Sequence, residues 1–171
     1  MIQTVKYARE NNIPYFGICL GMQIMVIEYA RSILGLENAS STEFSQDTQY
    51  PVISLLEEQL DTKLYWGTMK LGNSDTKLKH NTKIFDIYKE EVITERHRHR
   101  YEFSNKYREV FENAGFVISG YTLDDALVES VEWPKHKWGI GVQYHPEFKS
   151  KPFSPHPLFV QFVKASKENA K

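Results

Sequence analysis

An α/β fold, with an open, mostly parallel sheet flanked by helices, is predicted by three features of this 171-residue sequence. A short apolar run bounded by proline and glycine, Tyr15 to Cys19, passes directly into a segment whose apolar residues recur every three or four positions. That is the pattern of a buried strand feeding a helix. A second apolar strand ends at Tyr144, and a further helical stretch with apolar spacing closes the chain. No internal repeat or linker breaks the order, and the length suits one domain.

Ile2, Val5 and Ala8, with Tyr7 nearby, share a face of a helix over residues 2–11 that Asn11-Asn12 stops. Pro14 opens the strand Tyr15–Cys19, and Met22, Met25, Val26, Tyr29, Ala30 and Ile33 define a helix from Leu20 to Leu34. Residues 35–50 are polar and rich in Asn, Ser and Thr, a loop long enough to call for a functional reason. Pro51–Leu56, Tyr65–Leu71, Leu78–His80 and Glu91–Glu95 suit short strands, with Gly72-Asn73-Ser74-Asp75 as a turn. Tyr107–Ala114 suits a helix stopped by Gly115, followed by a strand at Phe116–Thr122. Leu127–Trp133 and Trp138–Tyr144 then form a hairpin-like pair around Pro134-Lys135-His136-Lys137. The last helix begins near Pro157 and carries Leu158, Phe159, Phe162, Val163 and Ala165.

Apolar residues make up 41% of the chain and charged ones 25%, a globular balance that excludes a disordered or low-complexity protein. Twenty-one basic against 22 acidic residues give a net charge of −1, so nothing pulls the whole chain onto nucleic acid or an acidic membrane. The single cysteine makes no internal disulfide, and the polar start MIQTVKYARENN lacks the apolar core of a signal peptide. The longest apolar run, near Ile24–Ile27, falls far short of the about 20 residues a membrane span needs. A soluble protein of the cytoplasm is expected.

Gly17-Ile18-Cys19-Leu20-Gly21 sets a cysteine at the strand-to-helix junction with glycine two residues away on either side. This has the form of a nucleophile elbow with sulfur in place of oxygen. A sharp turn lifts the side chain above the sheet, and the helix amino terminus and a neighbouring protonated histidine favour the attacking thiolate. A small buried cysteine is the ordinary alternative. Tyr144-His145-Pro146-Glu147-Phe148 follows the strand that ends at Tyr144. His145 therefore sits at a carboxyl edge, where open α/β sheets place their sites, and Glu147 is near enough to fix its imidazole. The two motifs lie 126 residues apart, and what joins them is that each ends a strand on the same kind of edge.

Pro14 to Gln23 together with Tyr144-His145-Pro146-Glu147 resembles the class I (triad) glutamine amidotransferases. Glu37 to Phe44, Gly67-Thr68-Met69-Lys70-Leu71-Gly72, Glu95 to Glu102 and His156-Pro157-Leu158-Phe159 narrow the resemblance to the amidotransferase domain of the CTP synthase family. It runs from residue 1 to about 166. The resemblance implies a triad of Cys19, His145 and Glu147, and glutamine binding by Leu20, Gly21, Met22, Gln23, Glu43 and Arg100. It implies no cofactor in this stretch, ATP and Mg being used by the family's synthetase domain, which is the expected partner in cis or in trans. It also implies a homo-oligomeric whole enzyme.

Those roles are chemically coherent. Free glutamine carries an α-ammonium and an α-carboxylate, which Glu43, in the long loop, and Arg100 would pair. Gln23, four residues after Cys19, puts an amide on the nucleophile's face of the helix, although an exposed helix glutamine is equally ordinary. In Arg96-His97-Arg98-His99-Arg100, strand alternation sends the arginines to one face and the histidines to the other. Such a face could offer cations to small anions, and the resemblance implies that residues near Arg100 face the partner domain and its nucleotide effectors. One short basic run in a chain of charge −1 is thin support for nucleic acid, and two histidines with no third ligand nearby do not make a metal site.

The family's amidotransferase domain begins with further strands and a glycine-rich loop that supplies an oxyanion donor, and neither precedes the first helix here. The expectation is thus a carboxyl-terminal portion, residues 1–171, of such a domain, truncated at its amino end, with Leu20 as the visible oxyanion donor and with an apolar sheet edge exposed. An inactive interaction module is the alternative from another class. A different class I member, such as a GMP synthase subunit or a glutamyl-peptide hydrolase, is a third, against which Thr42-Glu43-Phe44 and Arg96 to Arg100 speak.

Overall fold

The computed structural model describes residues 1–55 and 69–170. Its helices are α1 (Ile2–Glu10), α2 (Leu20–Ser32), α3 (Lys83–Tyr88), α4 (Arg108–Asn113) and α5 (Pro157–Asn169). Its strands are β1 (Tyr15–Ile18), β2 (Ala39–Ser41), β3 (Tyr50–Ser54), β4 (Lys70–Leu78), β5 (Val92–His99), β6 (Glu102–Phe103), β7 (Val117–Thr122), β8 (Val128–Glu132) and β9 (Gly139–Val142). Six strands form one sheet in the order β1-β9-β8-β7-β4-β5, and β2-β3-β6 form a second.

The sheet flanked by helices is as predicted, but its mostly parallel character is corrected. In the six-stranded sheet only β1 and β9 run parallel; β9–β8, β8–β7, β7–β4 and β4–β5 are antiparallel. The reason lies in the connections: β7, β8 and β9 follow one another through short turns, which join antiparallel neighbours, whereas a parallel pair needs a long crossover. Between β1 and β9 nearly the whole chain intervenes.

Each face of this sheet buries its own core. On one side Met22, Met25, Val26 and Tyr29 of α2 pack with Val5 and Ala8 of α1, Phe111 of α4 and Ile118, Val131 and Trp133. On the other, Ile140, Val142 and Tyr144 meet Ile84 of α3 and Leu158 of α5, with Phe16, Trp138 and Phe162 in edge or tilted ring contact. Beta alternation produces this division, since Ile140 and Val142 point one way and Gly139 and Gly141 the other. Gly141 leaves room for α2: a Cβ there would stand 3.0 Å from Met22 Cγ. Helix α2 also packs against β2, β3 and β6, so it lies between the two sheets and ties them together.

Several local expectations change. The turn assigned to Gly72–Asp75 is the middle of β4, which pairs residue by residue with β5 from Lys70↔His99 to Lys77↔Val92. Eight cross-strand partners outweigh the turn preference of Gly-Asn-Ser-Asp, and Gly72 takes a φ of +88° without breaking register. The strand expected over Tyr65–Leu71 falls mostly on residues 56–68, outside the described residues, as does the end of Pro51–Leu56. The expected strand Leu78–His80 is only the end of β4, and Glu91–Glu95 extends to His99. Helix α3 is unforeseen; Thr82 caps it, its Oγ1 accepting from Phe85 N at 3.3 Å. The long polar loop contains β2, which joins β3 in parallel. Among the described residues β1 pairs only with β9, so it forms the expected sheet edge.

Candidate active site

The parallel pairing of β1 and β9 brings the two sequence motifs together. Ile18 stands opposite Val142, so Cys19 and Gln143-Tyr144-His145 leave the sheet at the same edge. The Cys19 N–H still donates to Val142 O at 2.8 Å, and one residue later the chain turns into α2, with Gln23 N donating back to Cys19 O. Making that turn forces Cys19 to φ +50°, ψ −103°, a conformation that side chains other than glycine seldom adopt. The turn is so tight that a Cβ on Gly17 would sit 2.6 Å from Gly21 C and 2.8 Å from Met22 N. Tyr15 closes the corner, its hydroxyl donating to Gly21 O at 2.8 Å.

Burial pushes the half-buried Cys19 thiol up, a Leu20 N–H bond draws it down, and the charges of Glu102, Glu147 and Glu43 raise it further. The helix terminus thus acts through the Leu20 amide, but the resting thiol is not lowered overall as the elbow form suggests. Gln143, a buried residue, donates through Nε2 to Cys19 Sγ at 3.6 Å.

His145 is held by its backbone and its ring. Its N–H donates to Arg96 O at 2.8 Å, which pins the segment after β9 to the edge of β5. The following 3-10 turn, Pro146–Phe148, folds Glu147 back so that its Oε1 lies 2.6 Å from His145 Nδ1. His145 Nε2 is buried and has no hydrogen-bond partner among the described residues. Nδ1 is therefore engaged by a carboxylate while the opposite nitrogen is left for another group, the arrangement of an oriented acid–base histidine.

The second sheet carries the two charged glutamine-binding candidates. Ser41 at the end of β2 lies beside Ile53, and Glu102 at the start of β6 beside Ser54. The chain following β2 and the chain preceding β6 consequently meet at one end of β3, and these are the segments that carry Glu43 and Arg100. Glu43 is exposed, in a turn fixed by its N–H to Ser41 Oγ at 3.1 Å. Arg100 is half-buried, and its Nε is buried without a partner among the described residues. A guanidinium N–H left unpaired in this way is a donor set for an anion.

Leu20 and Gly21 are partly exposed at the start of α2, and the first turn of a helix leaves its N–H groups free. Met22 is fully buried in the core. Gln23 is buried too, and its Nε2 donates to Tyr101 O at 3.1 Å and to Gln143 Oε1 at 3.3 Å. Both N–H groups of its amide thus serve the scaffold under Cys19.

Alternation along β5 is as expected, with Arg96 and Arg98 exposed and His97 and His99 buried. The expectation that the histidines lack a third ligand is corrected by β8, which places a Glu129 oxygen within 4.8 Å of both. Glu129, however, is already ion-paired with the Lys70 ammonium, which fills the role a cation would take. His97 Nδ1 lies 2.9 Å from His99 Nε2, and His99 Nδ1 lies 3.2 Å from Glu102 Oε1. Burial, with Lys70 nearby, holds His97 down to about 2 and His99 down to about 3, so both are neutral. Burial holds Glu102 well above the usual carboxylate range, with Glu129 adding and Lys70 opposing.

Two residues that act on the thiol, Gln143 through a hydrogen bond and Glu102 through its charge, were not anticipated. The one signal for Gln143 was a polar residue inside the apolar run Gly139 to Tyr144. Glu102 had none, because its influence on Cys19 depends on where the second sheet places it.

The description "Glutamine amidotransferase class-I" belongs to a family whose model matches residues 1–165. The CTP synthase of Aquifex aeolicus is 56% identical over 167 residues, covering 98% of this chain and 32% of that protein. The CTP synthase of Bacillus subtilis is 54% identical over 169 residues, covering 99% of this chain and 32% of that protein. The chain thus spans about a third of the length of these curated relatives. A solved structure described as the glutaminase domain of Trypanosoma brucei CTPS with bound acivicin is 37% identical, with a TM-score of 0.91, over 98% of this chain and 65% of that one. A glutamine amidotransferase from Thermotoga maritima, 15% identical with a TM-score of 0.53 over 98% of this chain and 53% of that one, shares the fold.

Proposed function

The chain belongs to the class I glutamine amidotransferase family, and from that premise we propose that it is the glutamine-hydrolysing part of a CTP synthase. The observation that supports this reading most is the shared edge of β1 and β9, which delivers a cysteine at a strained strand-to-helix turn and a histidine bonded to Glu147 at 2.6 Å.

In the proposed reaction the Cys19 thiolate attacks the side-chain carboxamide carbon of glutamine, and the Leu20 N–H receives the developing oxyanion. His145, oriented by Glu147, gives its proton to the departing nitrogen, so ammonia leaves and a glutamyl thioester remains. Water attacks the thioester with His145 as base, releasing glutamate and restoring the thiol. Arg100 pairs the α-carboxylate and Glu43 the α-ammonium, with first-turn N–H groups of Leu20, Gly21 and Met22 alongside. Gln23 supports the site from below. In the whole enzyme a synthetase domain, in cis or in trans, uses ATP and Mg to activate UTP at its 4-oxygen and accepts the ammonia, yielding CTP, ADP and phosphate. Such an enzyme works in the cytoplasm as a homo-oligomer. No described helix is long and apolar enough to cross a membrane.

The test uses the full protein that carries this chain, supplied with UTP, ATP, Mg and either glutamine or ammonium. Cys19→Ala is expected to abolish CTP formation from glutamine and to leave formation from ammonium nearly intact. Glutamine hydrolysis that survives Cys19→Ala overturns the nucleophile. Hydrolysis without CTP points to another class I member, and absence of hydrolysis alongside normal ammonium-driven synthesis points to an inactive module.

A further inference from the structure

The thiol stands amid groups that oppose its ionisation. Glu102 at the start of β6, Glu147 after β9 and Glu43 after β2 all raise it, and burial raises it more. Against them the Leu20 amide is one donor. The geometry supplies another in Gln143.

Which end of a buried carboxamide faces a neighbour is fixed by the hydrogen-bond network around it. Tyr101 O is a backbone carbonyl and can only accept, so the nitrogen of Gln23 must face it, as it does at 3.1 Å. The second N–H of that nitrogen reaches Gln143 Oε1 at 3.3 Å, which makes oxygen the inward end of the Gln143 carboxamide. Nitrogen is then the end that faces Cys19 Sγ, 3.6 Å away. The Gln143 backbone is anchored as well, its N–H donating to Glu129 O at 2.8 Å. Gln143 is wholly inaccessible to solvent, and Gln23 nearly so, so no water competes for these bonds.

Resting on the glutaminase reading, we propose that Gln143 is a further residue of the thiol's machinery: clamped through Gln23 against the Tyr101 carbonyl, its carboxamide presents a fixed N–H to Cys19 Sγ that selects the thiolate. A neutral thiol accepts only weakly from this N–H, whereas a sulfur anion gains most from a donor that cannot turn away. Gln143 touches the reacting atom, whereas Gln23 acts through it and is a positioning residue. The thioester step reverses the demand, because sulfur must leave carbon as an anion, and the same N–H assists that departure.

The experiment follows alkylation of Cys19 by iodoacetamide from pH 6 to pH 10 in the full protein, read by mass spectrometry of the Cys19 peptide. Gln143→Met keeps the length of the side chain and removes the donor. The apparent titration midpoint of the thiol is expected to rise by about one unit, which is about a tenfold lower thiolate fraction at neutral pH. Gln143→Glu keeps an acceptor for Gln23 and replaces the donor with a carboxylate, so an equal or larger rise is expected. Gln23→Met frees the Gln143 carboxamide to turn and is expected to give a smaller rise. An unchanged or lowered midpoint in either Gln143 variant that melts cooperatively overturns the proposal, and the Glu variant decides alone where the Met variant fails to fold. Alkylation requires no glutamine turnover. A midpoint that shifts in a protein without glutaminase activity therefore faults the functional reading, while an unshifted midpoint in an active one faults only the role of Gln143.

Discussion

His145 Nδ1 and Glu147 Oε1 lie 2.6 Å apart because a proline-led 3-10 turn folds the chain back within two residues. The pair is self-contained, since the histidine and its orienting carboxylate travel on one short segment. Replacing His145 with alanine is expected to lower glutamine turnover by about 10²- to 10⁴-fold, the usual worth of a general acid–base group. Glu147→Gln keeps a hydrogen-bond partner for Nδ1 but loses the charge that supports an imidazolium, so a smaller loss in kcat is expected. Steady-state ammonia release on both variants, beside melting curves matching the parent, checks the order. A Glu147→Gln protein as slow as His145→Ala would contradict it.

Arg100 should act on binding. On the proposed reading its buried Nε, which has no partner among the described residues, pairs the α-carboxylate of glutamine, and an unpaired charge in a desolvated site costs about 2–5 kcal/mol. Arg100→Ala is therefore expected to raise the KM for glutamine by roughly 30-fold to several thousandfold, with CTP formation from ammonium preserved. Equal loss with both nitrogen sources in a protein that melts cooperatively would move Arg100 out of the glutamine pocket.

Gly17 offers a purely steric test of the elbow. A Cβ there would lie within 3 Å of three backbone atoms of Gly21 and Met22, none of which can rotate aside. Gly17→Ala is expected to cost about 1–3 kcal/mol or more. At roughly 2–4 °C per kcal/mol for a chain of this size, calorimetry should register a clear drop in Tm. An unchanged Tm would mean that the turn is looser than the structure has it.

Glu102 makes a prediction with a definite sign. Burial raises its folded titration above that of the unfolded chain, so between the two values the native state holds a proton that the unfolded state has released. Its contribution is full at pH below the ordinary 4.5 and drains away as pH rises toward the folded value. Glutamine at this position cannot titrate. Glu102→Gln should match the parent in urea unfolding near pH 4 and gain stability over it as the pH is raised to 8. A stability difference that does not change with pH would refute the protonated carboxyl.

Between α1 and α2, Arg9 donates two bonds of 2.8 Å to Glu28, whose side chain is completely buried. Removing the guanidinium strands that carboxylate, and Arg9→Ala is expected to cost about 3–5 kcal/mol. Lys6 and Glu10, an exposed pair one helical turn apart on α1, should yield no more than about 0.5 kcal/mol when broken. Denaturant midpoints for Arg9→Ala and Lys6→Ala compare the two directly.

The parts of this molecule that were legible in the sequence are those that local pattern specifies. Helix α2 announced itself through Met22, Met25, Val26 and Tyr29, and the strand before Cys19 through its apolar run between Pro14 and the elbow. Strand alternation also foretold which of Arg96 to His99 would be buried. What local pattern misread was settled by partners distant in sequence. Gly72 to Asp75 read as a turn because nothing nearby revealed the eight-residue pairing with β5, and the direction of β7, β8 and β9 depends on connections rather than on composition. Within the site, Gln23 looked free because the Tyr101 carbonyl and the Gln143 side chain that consume its amide lie 78 and 120 residues away. Glu129 was invisible to the histidine pair for the same reason.

The bond that ties His145 to β5 is made by the carbonyl of Arg96, while the Arg96 side chain points outward over the Phe148 ring. Every amino acid supplies that carbonyl. Substitution at position 96 can thus explore size and charge on the outer face without releasing the histidine, provided that β5 keeps its pairing with β4. The inner positions of the same strand have no such licence, since His97 and His99 are enclosed on all sides. One strand consequently carries two levels of structural constraint, alternating residue by residue. Its inward face is bound to the buried network, and its outward face is free to adapt to whatever the surrounding protein brings against it.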